Sequence, residues 1–214
     1  MITVCEIFHS IQGESLDAGR PCVFVRLSGC NLRCGYCDTR YAWDGGEVMA
    51  LTDILERVTR YGCRLVAVTG GEPLLQAETP LLIRNLLDQG FEVLLETNGS
   101  YDIGAVDARC VKILDVKCPG SGMADRMDMD NLGRLGERDQ LKFVLTDRAD
   151  YEYAKSLVGS PGIAGIAGRR LLFSPAAPGM KPAQLAEWIL EDRLDVRFQV
   201  QLHRILWPDV ERGV

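Results

Sequence analysis

Cys22-Val-Phe-Val-Arg-Leu-Ser-Gly-Cys30-Asn-Leu-Arg-Cys34-Gly-Tyr-Cys37 joins two unlike pieces of chain. Cys22 to Leu27 is a short run rich in branched and aromatic side chains, the composition of a buried strand. Cys30 to Gly46 has no periodicity and reads as a loop with three thiols at its start. In α/β folds the chemistry sits at the carboxyl ends of the strands. The junction therefore predicts a strand that delivers three cysteines to a functional edge.

The same rhythm continues outward. Thr52 to Tyr61 places Ile54, Leu55 and Val58 on one helical face, and Gly62 ends the helix. Leu65 to Thr69 reads as a strand, Pro80 to Gln89 as a helix with proline in its first turn, and Phe91 to Thr97 as a strand after the stop at Gly90. Val111 to Lys117, Leu141 to Leu145 and Leu171 to Ser174 are further strands, with helices at Tyr151 to Leu157 and Pro182 to Glu191. Strands joined by crossover helices predict a parallel sheet, buried on both faces, with right-handed connections. A closed eight-unit barrel takes about 250 residues. A chain of 214 residues fits a partial, open βα barrel of about six units. Gly159 to Gly168 is a turn region, and no linker or repeat divides residues 1–214, so one domain is expected.

Composition narrows the class. The chain is 47% hydrophobic and 25% charged with a formal net charge of −6, an ordinary globular balance without a general footprint for nucleic acid or an anionic membrane. No apolar run reaches the length of a spanning helix, and Met1 to Ser10 lacks an export pattern, so a cytoplasmic chain is expected. Its eight cysteines then read as reduced thiols. Cys5, Cys22, Cys63, Cys110 and Cys118 are scattered where cysteine packs as a small hydrophobe.

Cys30, Cys34 and Cys37 need a different explanation. A closed zinc site would require a fourth ligand, and His9 and His203 are the two histidines available. A three-cysteine iron–sulfur cluster keeps one iron open for a ligand, whereas electron-transfer clusters usually take four. Three structural thiols are the plain alternative.

Cys30-xxx-Cys34-x-Tyr36-Cys37 resembles the signature of the radical S-adenosylmethionine superfamily, and Thr69-Gly70-Gly71-Glu72-Pro73 resembles its GGEP motif. The resemblance implies a [4Fe-4S] cluster on the three thiolates, with S-adenosylmethionine chelated to the fourth iron. Standing alone the second motif would read as a glycine turn capped by Glu72 before a helix; the cysteines upstream make that the minor alternative. His9-Ser-Ile-Gln-Gly-Glu14, Arg20-Pro21, Phe24 to Leu32, Cys37-Asp-Thr39, Glu96-Thr-Asn-Gly99, Asp115-Val-Lys117, Leu141-Lys-Phe-Val144 and Gln201-x-His203-Arg204-x-Leu206 extend the match over the chain. Together they resemble the 7-carboxy-7-deazaguanine synthase family.

That family resemblance implies conversion of 6-carboxy-5,6,7,8-tetrahydropterin to 7-carboxy-7-deazaguanine and ammonia, in queuosine and 7-deazapurine biosynthesis, a carbon–nitrogen lyase reaction. It implies Ile11, Gln12, Gly13, Glu14, Arg26, Thr69, His203 and Pro208 at the substrate, with residues 199–208 covering it. Around S-adenosylmethionine it implies Tyr36, Cys37, Asp38, Gly71, Glu96, Asp115, Val116, Lys117 and the run Ser174, Pro175, Ala176, Ala177. It further implies magnesium at Thr39, a homodimer, and an electron donor such as flavodoxin or ferredoxin. Arg26 suits a carboxylate because its planar fork binds both oxygens. His203 alone could equally be structural, and Glu96, Lys117 and Lys142 could form an ion-pair set. No protein nucleophile is needed. A glycyl-radical activating enzyme shares the cysteine spacing but not His9 to Glu14; an electron-transfer protein or a zinc-binding module would need neither that segment nor a vacant iron. Asp209 to Val214 carries mixed charge and reads as a mobile, solvated tail.

Overall fold

The computed structural model describes residues 1–177 and 179–214. In chain order its elements are β1 (Ile2–Ile11), β2 (Pro21–Leu27), β3 (Glu47–Met49), α1 (Leu51–Arg60), β4 (Leu65–Gly70), α2 (Thr79–Asp88), β5 (Glu92–Thr97), β6 (Val111–Val116), β7 (Gln140–Leu145), α3 (Arg148–Val158), β8 (Leu171–Pro175), α4 (Pro182–Glu191), β9 (Arg197–Phe198) and α5 (Leu202–Leu206). The strands form one open sheet in the order β3-β1-β2-β4-β5-β6-β7-β8-β9. From β2 to β9 every neighbour is parallel. The six strands expected from the apolar runs are β2 and β4 through β8, and the sheet does not close.

Two features depart from the expected repeat. The sheet is not wholly parallel, because β1 runs antiparallel to both β2 and β3. Its alternation is broken by a register shift between Val4 and Glu6, which hid it from a period-two reading. In addition, the β5–β6 and β6–β7 crossovers lack α-helices and use short 3-10 turns at Ile103–Ala105, Pro119–Ser121, Ala124–Arg126 and Met129–Arg134. Asn131, fully buried, ties these turns to the segment after β5 and satisfies three backbone groups there. Its carbonyl accepts from the Ile103 amide at 3.1 Å, and its amino group donates to the Gly99 and Tyr101 carbonyls at 3.1 and 2.8 Å.

Helices α1 and α2 cover one half of the outer face. Buried Ile54, Leu55 and Val58 of α1 join Leu82, Ile83 and Leu86 of α2 against Val66, Val68 and Leu95. Each such side chain contributes about 1.5–3 kcal/mol when fully buried. Helices α3 and α4 cover the other half through Tyr151, Ala154, Leu185 and Ile189 against Phe143 and Phe173. Inside the curved sheet Phe8, Cys22, Phe24, Leu65, Ala67, Leu94 and Ile113 form a smaller cluster. No helix among the described residues is long and apolar enough to cross a membrane.

Candidate active site

Above that inner cluster, the carboxyl ends of the strands enclose a cavity of about 620 Å³. Phe24 and Ile113 belong to both the cluster and the cavity wall. Cys30, Cys34, Cys37, Tyr36, Asp38 and Thr39 enter from the loop after β2; Thr69 and Gly71 from β4 and its turn; Glu96, Asp115 and Lys117 from β5 and β6; and Ser174, Pro175, Ala176 and Ala177 from β8. Ile11, Gln12, Gly13, Glu14, Arg26, His203 and Pro208 complete the wall. Val116 differs: it is not part of the wall, and its side chain is wholly buried in the α3–α4 core.

At one end lie the three thiols, and all eight cysteines are free. Burial pushes the Cys30 and Cys34 thiols up, so ligation has to displace their protons. The loop is pinned by the Gly35 amide donating to the Ser121 carbonyl at 3.1 Å. No three of the described His, Cys, Asp or Glu side chains converge tightly enough for a single metal ion. A four-iron cluster takes each thiolate on a different iron and suits a wider spacing. Gly71 fits the same reading, because a Cβ there would lie 2.2 Å from the Gly29 carbonyl oxygen and 2.8 Å from Cys30 Cβ. Only glycine lets this turn pack against Gly29 and Cys30.

Glu72 takes the capping role that its residues alone allowed. It is fully buried, outside the cavity wall, and accepts from the Leu74 and Asn98 amides at 2.9 and 2.7 Å and from the Thr97 hydroxyl at 2.8 Å. Burial pushes its carboxyl up, against those bonds. The cavity is thus offered the backbone of Gly70 and Gly71. Nearby, the Tyr36 hydroxyl and Asp115 Oδ1 are buried without a hydrogen-bond partner among the described residues. With Arg204 Nε, three such orphans belong to residues of the wall and mark places where a polar ligand restores lost hydrogen bonds. With the thiols and the Gly71 approach, the wall suits a cluster carrying S-adenosylmethionine.

Between the two ends runs a charge network. Lys142 Nζ pairs with Glu14 Oε2 at 2.9 Å and Asp115 Oδ2 at 3.5 Å, and Lys117 Nζ pairs with Asp115 Oδ2 at 3.0 Å. Burial alone would lower both lysines; for Lys142 Glu14 and Asp115 reverse it, and for Lys117 Asp115 does, so both stay charged. Glu96 accepts from Gln12 Nε2 at 3.2 Å and from the Thr69 hydroxyl at 3.0 Å. The charged strand residues are both paired and exposed to the cavity.

The other end is assembled around Arg26 and the C-terminal segment. Arg26 Nε donates to Glu6 Oε1 at 2.8 Å, its one side-chain hydrogen bond among the described residues. Gly13 has no Cβ, which lets His203 sit against it; a Cβ would lie 2.4 Å from His203 Nδ1. Burial lowers the His203 imidazole, against the pull of Glu14 and Asp38, and keeps it neutral near pH 7. Asp38 accepts from Gln201 Nε2 and Arg204 Nη2, each at 3.2 Å, clasping the cluster loop to α5. Burial would raise its carboxyl, but those two partners hold it at about 2. Thr39 donates to Asp38 Oδ1 at 3.0 Å. A hard ion here would need further oxygens from a ligand.

The tail departs from expectation. Asp209 to Gly213 are exposed, yet Val210, Glu211 and Val214 line the cavity mouth and Arg212 stacks over Tyr41 at 4.3 Å. Sequence reasoning also missed Tyr41, Trp207 and the clasp made by Gln201 and Arg204. The last two flank the start of α5, a helix of five residues, so no periodic signal in the sequence marked them.

Comparison with known proteins agrees with this geometry. Residues 24–114 match the model of the radical SAM superfamily. The chain is 41% identical to the 7-carboxy-7-deazaguanine synthase of Koribacter versatilis over 99% of both chains. It is 44% identical to that of Chlorobaculum tepidum, over 100% of this chain and 97% of the relative. In fold it is similar to the crystal structure of QueE from Escherichia coli, with TM-score 0.76 and 22% identity over 94% of each chain.

Proposed function

This chain belongs to the 7-carboxy-7-deazaguanine synthase family of radical S-adenosylmethionine enzymes, and from that membership we propose how its cavity divides the reaction. The substrate is 6-carboxy-5,6,7,8-tetrahydropterin, and loss of ammonia makes the enzyme a carbon–nitrogen lyase. One observation carries the assignment: a single cavity holds both the three cluster thiols and the free guanidinium fork of Arg26.

Cys30, Cys34 and Cys37 hold the [4Fe-4S] cluster, and the Gly71 backbone, Tyr36, Asp38, Glu96, Asp115, Lys117 and residues 174–177 surround S-adenosylmethionine. When bound, this pair supplies one-electron chemistry that begins with removal of a hydrogen atom from the pterin. The chain itself supplies position and dryness. Arg26 clamps the substrate carboxylate; Ile11, Gln12, Gly13, Glu14, Thr69, His203 and Pro208 frame the ring. His203 stays neutral, able to donate from one nitrogen and accept at the other. Thr39 would offer its hydroxyl to magnesium, a hard ion that would take its other ligands from oxygens, the substrate's among them. Residues 199–208 close the cavity, and residues 30–46 carry the cluster within one domain. An electron donor such as flavodoxin or ferredoxin serves the enzyme, which works as a homodimer in the cytoplasm.

Arg26→Ala tests the division. It should leave iron and sulfide content unchanged and weaken pterin binding by about 2–5 kcal/mol, the cost of stranding a charge without its partner. Unchanged pterin affinity would remove Arg26 from the substrate site.

A further inference from the structure

Arg26 emerges from β2 as a long side chain with several rotatable bonds, and a bidentate clamp requires its plane to be fixed before the ligand arrives. The structure identifies what fixes it. Glu6 lies directly opposite Arg26 in the antiparallel β1–β2 ladder, next to the register shift after Val4. A bulge at that place re-aims the side chain beyond it. Glu6 Oε1 accepts from Arg26 Nε at 2.8 Å and from the Tyr41 hydroxyl at 3.0 Å. The Arg26 and Glu6 side chains are 13% and 18% exposed, so the pair is largely out of water. Phe8 and Tyr41 flank the guanidinium, with ring centroids 5.7 and 5.9 Å from Cζ.

Glu6 is not part of the cavity wall, whereas Arg26 and Tyr41 are. It is set back from the wall behind its two hydrogen-bond partners, so it bears on a ligand in the cavity through Arg26 and Tyr41. By occupying Nε, it leaves the two terminal nitrogens, the edge that matches a carboxylate, for the ligand. Tyr41 holds the same carboxylate oxygen from the cluster loop. We propose that Glu6, locked by Tyr41, is the positioning residue that sets the plane of Arg26 and so makes the site selective for a pterin bearing a carboxylate. This inference rests on the reading of Arg26 as the carboxylate clamp.

Two replacements at Glu6 separate the lock from mere packing. Glu6→Gln keeps an oxygen that can accept from both Nε and the tyrosine hydroxyl, while Glu6→Ala removes the lock. The test uses the cluster-loaded enzyme and two stable probes, 6-carboxypterin and pterin without the carboxylate, as competitive inhibitors, alongside KM and kcat for the tetrahydropterin substrate. Glu6→Ala should weaken 6-carboxypterin about tenfold or more, the loss of one charge-assisted hydrogen bond. Pterin should stay within about twofold, and substrate KM should rise more than kcat falls. Glu6→Gln should restore most of the 6-carboxypterin affinity, and Tyr41→Phe should fall between the two.

Equal weakening of both probes by Glu6→Ala would mean a merely structural role and overturn the proposal. So would undiminished 6-carboxypterin affinity, or failure of Glu6→Gln to restore it. Arg26→Ala is run in parallel to separate the two levels. If it does not discriminate between the probes, the clamp itself fails and this inference falls with it. If it discriminates while Glu6→Ala is silent, only the positioning role fails.

Discussion

Gly13→Ala isolates the closure of the cavity from every other contribution. Gly13 does not adopt a left-handed backbone conformation, so alanine introduces no backbone strain there. The obstacle is His203: the new methyl would lie 2.4 Å from Nδ1 and 3.2 Å from both Cγ and the backbone nitrogen. Restoring ordinary contact at 3.4 Å requires α5 or the ring to withdraw by about 1 Å. That withdrawal strains the Leu202 amide bond to the Gly13 carbonyl, 3.0 Å, and the Gln201 bond to Glu14, 2.9 Å. Overpacking of this kind costs about 1–3 kcal/mol. If it falls on the closed, substrate-bound form, pterin affinity drops about five- to 150-fold. The assay is pterin affinity and kcat/KM on cluster-loaded protein, with iron content as the control, since the three cysteines take no part in the contact. His203→Ala removes the ring that the methyl strikes, so adding Gly13→Ala to it should cost little more. Affinity within twofold of wild type, or a double variant far worse than His203→Ala, would show that this contact does not control closure.

Thr39→Ala, or rigorous chelation, should lower product formation, and magnesium should rescue the chelated wild type but not the variant; an enzyme indifferent to both has no magnesium at Thr39. Deleting residues 209–214 removes the Arg212–Tyr41 stack. At about 0.5–1 kcal/mol for an exposed contact, substrate KM should rise about two- to fivefold with iron content intact, and an unchanged KM would make the tail a bystander. His203 gives a pH signature. Burial holds its folded value below the ordinary 6.5, so the unfolded chain takes the proton first as pH falls. Thermal stability should therefore decline on acidification through 6.5, and His203→Gln should flatten that decline; parallel profiles for the two proteins would contradict it.

The sequence exposed those parts of the fold that rest on local pattern. The buried parallel strand Leu65–Gly70 opens on a continuous apolar run, Gln140–Leu145 is mostly apolar around Lys142, and α1 carries Ile54, Leu55 and Val58 on one face. Strand β1 was hidden because its residues alternate between buried and half-buried and then shift register after Val4. Helix α5 spans five residues, too short to display a period. The three thiols stood out by their spacing, whereas Gly71 was picked out only by the resemblance of residues 69–73 to the GGEP motif. The partners of Lys142, Glu14 and Asp115, come from distant segments. Such pairings arise from sheet register and side-chain direction, which no local window contains. Glu6 went unseen for the same reason: its meaning comes from lying opposite Arg26.

The decisive measurement is anaerobic incubation of the cluster-loaded protein with reductant, S-adenosylmethionine, magnesium and 6-carboxy-5,6,7,8-tetrahydropterin, with the products identified by mass spectrometry. 7-Carboxy-7-deazaguanine should accumulate over many turnovers and vanish when any of Cys30, Cys34 or Cys37 is replaced by alanine. A full cluster and bound pterin with no 7-carboxy-7-deazaguanine formed, or product that persists without the cysteines, would contradict the assignment of this cavity.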